Sequence, residues 1–126
     1  MAYAYRASTS AGNASGGSVT INKPTGTADG DLIIVGAYLE SDTNTWSSVG
    51  SGFTSLASQV NTGLFSIRLW YKWASGEPAS WAWVPTTNNW RTVGCASDSG
   101  GGGSGDPYDI AGGSQGDAVN PVTSQT

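Results

Sequence analysis

The segment Phe65-Ser66-Ile67-Arg68-Leu69-Trp70-Tyr71-Lys72-Trp73 alternates with period two, and this alternation constrains the fold of the chain more than any other feature. Successive side chains of an extended strand point to opposite faces, so Phe65, Ile67, Leu69, Tyr71 and Trp73 share one face and Ser66, Arg68, Trp70 and Lys72 the other. The first set is the expected core side. Trp70 then falls on the polar side between two cations, where a large aromatic gains nothing from the core and suits a binding surface. Charged residues are 11% of the chain, and Gly, Ser, Thr, Ala and Asn crowd the rest, a mixture that builds turns and half-buried strands in preference to helices.

The same reading places strands over 3–9, 18–23, 31–39, 53–60, 64–74, 80–84 and 90–97, with glycine-, proline- and asparagine-rich turns between them. Stretch 31–39 is apolar on both faces and is expected at the centre of a sheet; 41–52 is polar and reads as a long loop. About seven short strands at regular spacing predict an all-β fold, an antiparallel β-sandwich of jelly-roll type, and no segment reads as helix. Residues 1–99 are expected to form this one domain. Residues 100–126 open with Gly100-Gly101-Gly102-Gly103-Ser104-Gly105 and are expected to form an irregular arm that lies over the sandwich or is ordered by a neighbour.

Several functions are excluded by what the chain lacks. A net charge of −4 with five scattered basic residues cannot supply the positive surface that nucleic acid requires. No apolar run approaches the ~20 residues of a membrane span, and the start of the chain lacks the pattern of a signal peptide, so a soluble protein made in a cytoplasm is expected. With one cysteine and no histidine, an internal disulfide, a zinc site and a histidine-dependent triad are out of reach. Cys95 reads as a small buried strand residue.

Catalytic, cofactor and metal residues are not expected. Asp29 and Asp31 flank Gly30 at a turn and Glu77 precedes Pro78 at another, where carboxylates commonly bond nearby backbone, and no pair is marked out for glycoside hydrolysis. Asp98, Asp106, Asp109 and Asp117 match no calcium loop; they read as loop aspartates, with a structural ion as the alternative.

Three motifs occur in order: Thr27-Ala28-Asp29-Gly30-Asp31-Leu32-Ile33-Ile34 before a buried strand, Leu69-Trp70-Tyr71-Lys72-Trp73-Ala74-Ser75-Gly76-Glu77-Pro78-Ala79-Ser80-Trp81 across a hairpin, and Asp106-Pro107-Tyr108-Asp109-Ile110. In this order they resemble a family of phage and prophage virion-associated β-sandwich domains found as head-surface or tail proteins. The resemblance implies the fold and a setting on the virion surface after synthesis in the host cytoplasm; it implies no chemistry. Similar members carry further strands after the last motif, whereas 16 residues follow Ile110 here, so an open sheet edge covered by a neighbour is expected.

The function expected is that of a non-enzymatic structural protein of a tailed-phage virion, a capsid decoration, head fibre or tail component. It would be held by contacts with copies of itself and with other capsid or tail proteins. Trp70, Arg68 and Lys72 are the candidate contact residues, and Trp73, Trp81 and Trp83 are expected in the core. The alternative is a carbohydrate-binding module or adhesin for a host-surface glycan. Trp46 and Trp90, with Asn44, Asn88 and Asn89, are its candidate residues, and two or three coplanar exposed tryptophans would be its signature.

Overall fold

The computed structural model describes residues 4–13, 17–87, 89–100 and 103. The arm expected over 100–126 therefore lies outside the described residues, apart from 100 and 103. Eight strands form: β1 (Ala4–Asn13), β2 (Val19–Asn22), β3 (Leu32–Leu39), β4 (Trp46–Ser48), β5 (Thr54–Asn61), β6 (Phe65–Trp73), β7 (Ser80–Pro85) and β8 (Arg91–Ser99). They make two antiparallel sheets, β1-β8-β3-β6-β5 and β2-β7-β4, and there is no helix among the described residues.

The order follows from folding the first half of the chain back on the second. β1 pairs with β8, β2 with β7 and β3 with β6, which is the pairing of a rolled-up hairpin and gives the jelly-roll character. The fold-over end departs from it. There β4 joins β7, and β5 returns as a hairpin on β6 through a turn in which Leu64 N–H donates to the Asn61 carbonyl at 3.0 Å, with Gly63 at φ 79°. Two expectations are corrected here: β1 runs on to Asn13 through residues read as loop, and the polar stretch 41–52 contains the short strand β4.

Register decides which face of the large sheet is interior. Ile33, Val35, Ala37 and Leu39 are almost wholly buried, and they stand opposite Lys72, Trp70, Arg68 and Ser66 of β6 and opposite Ser97, Cys95, Val93 and Arg91 of β8. The small sheet closes over this face with Val19, Ile21, Trp46, Trp81 and Trp83. Interlocked edge-on rings fill the middle: Trp46 on Trp70, Trp70 on Trp83, and Phe53 on both Trp81 and Trp83, with centroids 5.2–6.5 Å apart. Gly50 is buried against them because a Cβ there would meet Trp83 Cη2 at 2.8 Å.

The expected orientation of β6 is thus reversed. Trp70 is 6% exposed and belongs to the core, while Phe65, Ile67, Leu69, Tyr71 and Trp73 face the other way. The polar residues that suggested a wet face sit on the interior side in protected settings. Ser66 is buried, and Lys72 reaches the rim of the core, where its ammonium pairs with Glu77 Oε2 at 2.8 Å and donates to the Ser51 carbonyl at 3.0 Å. Trp81 and Trp83 lie in the core as expected; Trp73 is half-buried on the outer side.

The carboxylates read as turn residues do fasten turns. Asp31 accepts from Ala28 N–H at 2.8 Å and pairs with Arg6 Nε at 2.6 Å, where Arg6 occupies a bulge in β1. Asp29 accepts from Gly76 N–H at 2.8 Å, and Glu77 accepts from Ser75 N–H at 3.1 Å.

Candidate functional site

The outer face of the large sheet, which the small sheet does not cover, is the candidate site. Continuing the register outward gives rows of side chains across β8, β3, β6 and β5. Thr92, Tyr38, Ile67 and Gln59 form one row, Gly94, Gly36, Leu69 and Ala57 the next, and Ala96, Ile34, Tyr71 and Thr54 a third. Apolar side chains of β3 and β6 run down the middle as a band, flanked by small or polar residues of the outer strands. Leu32 and Tyr71 at one end are buried; at the other end Ile67 is 40% exposed, and Leu64 in the turn before β6 is 60% exposed.

The paired rows end where Leu39 stands opposite Arg91 and Ser66. Beyond it the chain turns, with Ser41 N–H donating to the Leu39 carbonyl and Glu40 N–H to the Trp90 carbonyl, both at 2.8 Å. At the start of β6 the Phe65 ring lies 5.6 Å from that of Tyr38. Trp90 is 62% exposed.

Two loops hold Trp90 in place. Asn89 donates through Nδ2 to the Glu40 carbonyl at 2.9 Å, and its Oδ1 accepts from Asn44 Nδ2 at 3.1 Å and from the Thr87 hydroxyl. Thr86 and Thr45 exchange backbone and hydroxyl bonds at 2.8–3.1 Å, and Arg91 turns inward to donate to the Asn89 carbonyl at 2.8 Å. On the adjoining hairpin, Asp42 accepts from Gly63 N–H at 2.6 Å, which ties loop 40–45 to the turn beside Leu64. An exposed indole on so well-bonded a frame is a pre-organised contact.

The predicted site residues are distributed unevenly over this surface. Trp90 and Asn89 belong to it, Asn89 as a brace whose amide groups are already engaged. Trp70 and Trp46 are core residues and do not reach it. Arg68 and Lys72 lie on the interior side of β6, Arg68 half-buried opposite Ala37 and Ser58. Asn88 lies outside the described residues. Glu40, Tyr38, Phe65, Ile67 and Leu64 were not singled out by sequence; the only local signal for Glu40 is its place as the first polar residue after β3.

Cys95 is buried on the interior side, and desolvation pushes its thiol from the ordinary 9.0 up to about 12, so it stays protonated and inert at neutral pH. Among the described residues no group of three or more histidine, cysteine or acidic side chains is placed to hold a metal ion. No helix among them is long and apolar enough to cross a membrane. Compared with protein-family models, with curated proteins and with solved structures, the chain has no match.

Proposed function

We propose that this chain is a non-enzymatic structural protein of a tailed-phage virion, at the head surface or tail, that works by packing the outer face of its large sheet against neighbouring virion proteins. The observation that carries the reading is the exposed end of the large sheet, where Ile67 on the outer face of β6, Leu64 in the turn before it and Trp90 in the loop before β8 are large apolar side chains left exposed on strands and braced loops. Such rigid aromatic and aliphatic surface is what a protein contact uses at its centre. The order of the three sequence motifs supports the virion setting.

The glycan reading has weaker support. Of the six tryptophans only Trp90 is exposed, with Trp73 half-buried, so the coplanar set that would grip a sugar chain is missing.

Incorporation into particles tests the proposal. Ile67→Glu places a charge in the band, and Ala82→Glu places one on the exposed outer side of β7. Ile67→Glu should leave a folded protein that no longer co-purifies with virions, and Ala82→Glu should co-purify normally. Equal incorporation of both, or no wild-type chain in particles, overturns it.

A further inference from the structure

We propose that residues 104–126 of the same chain lie across the buried end of the outer face, with Tyr108 and Ile110 seated on Leu32 and Tyr71. This goes beyond the virion reading and does not rest on it, since it concerns the end of the sheet away from Ile67, Leu64 and Trp90. Leu32 is 4% and Tyr71 8% exposed, yet both point away from the small sheet, and Ile67 on the same face of β6 is 40% exposed. Three loops lie at this end, 23–31, 49–53 and 74–79. Each joins one sheet to the other, so it runs on the small-sheet side and not over the outer face. A tyrosine ring standing between Ile34 and Thr54 on an uncovered sheet would keep much of its area in water. The burial is that of one chain by itself, so the cover belongs to this chain and not to a partner.

Connectivity decides which segment can supply it. Residues 14–16 and 88 attach at the opposite end, where Asn13 stands against Arg91. Residues 1–3 precede Ala4 on the edge strand β1, and in the order β1-β8-β3-β6 Tyr71 is three strands away. That is about 14 Å at ~4.8 Å per strand, whereas three extended residues span only about 10 Å. Gly101 and Gly102 have no side chain with which to cover a ring. Beyond β8 the chain passes Gly103, where a Cβ would stand 3.3 Å from Gly30 Cα, and Gly30 is two residues before Leu32. Tyr108 and Ile110 follow Gly103 within about 17 and 24 Å of extended chain, enough to reach Leu32 and Tyr71 on the neighbouring strands β3 and β6. Residues two apart share a face of an extended segment, so both side chains can meet the sheet while Pro107 and Asp109 face water. Apolar surface on both partners then leaves water together.

Nuclear Overhauser contacts in the full chain give the direct test. The Ile110 methyl protons should show contacts to the Tyr71 ring and the Leu32 methyls. In a mixture of isotope-labelled and unlabelled chains, these contacts should arise within one molecule. Ile110→Asp should raise hydroxyl-radical oxidation of Tyr71 and Leu32 several-fold and leave Ile67 and Leu64 at the parent's rate. The proposal is overturned by the absence of any contact from residues 104–126 to Leu32 or Tyr71, by contacts found only between differently labelled chains, or by unchanged Tyr71 oxidation in Ile110→Asp. Should that variant unfold, the contacts in the parent chain decide. Both measurements are made without particles, so a failed C-terminal cover and a failed virion contact are told apart.

Discussion

Trp70 meets Trp83 across the sandwich with ring centroids 6.2 Å apart and planes inclined at 63°. The contact joins the two sheets, since Trp70 is on β6 and Trp83 on β7, and it places Trp70 in the core. Trp70→Ala is expected to cost about 3–5 kcal/mol in denaturant unfolding, the range for emptying a large aromatic site. Trp90→Ala, which removes an exposed ring, should stay within about 0.5 kcal/mol of the parent. Equal effects of the two substitutions would mean that the β6 register is misassigned.

Asp31 joins the turn before β3 to the bulge in β1 through Ala28 N–H and Arg6. Asp31→Asn keeps the size and loses the charge; because Arg6 is partly exposed, the expected loss is modest, about 1–2 kcal/mol. Asp29→Asn, with one bond to Gly76 at an exposed turn, should cost less. Chemical denaturation of the two variants gives the comparison.

Burial raises the Cys95 pKa, and the sign of its effect on stability follows from that. The folded state holds its thiol proton more tightly than the unfolded state, so this contribution is intact below pH 9.0 and is lost as pH rises toward about 12. Unfolding free energy should fall in that window by at most about 1.4 kcal/mol per pH unit from this group. In Cys95→Ala that part of the slope disappears. A thiol reagent at neutral pH should label the native protein only at the rate of unfolding.

Asn89 braces the loop under Trp90, and Asn89→Ala removes its bonds to the Glu40 carbonyl, Asn44 and Thr87 together. Global stability should fall by about 1–2 kcal/mol, as for a lost hydrogen-bonded brace. The amide protons of 86–90 should exchange faster than those of β3. If exchange in this loop is unchanged, Trp90 is not held by the brace.

Much of the fold was legible because local pattern and final pairing agree. The run at 31–39 is apolar on both faces because β3 lies mid-sheet between β6 and β8, and Trp81 and Trp83 alternate with Ala82 as a half-buried strand should. β4 was not legible: three residues in a polar stretch carry no period, and β4 exists only because β7 offers a pairing edge. The orientation of β6 misled for a related reason. Both of its faces carry aromatics, so only the non-local pairing of Val35 with Trp70 decides which one is covered. Trp90 was visible as an aromatic among polar loop residues, but the Glu40 backbone that bonds its carbonyl follows β3, some fifty residues earlier, and no local window joins the two.

Site-specific photo-cross-linking in intact particles is the most direct measurement. A photoreactive residue at position 67, in the outer band, should form a cross-link to another virion protein, while the same residue at position 82, on the outer side of the small sheet, should form none. Cross-linking from 82 and not from 67, or from neither, would contradict a contact made through the outer face of the large sheet.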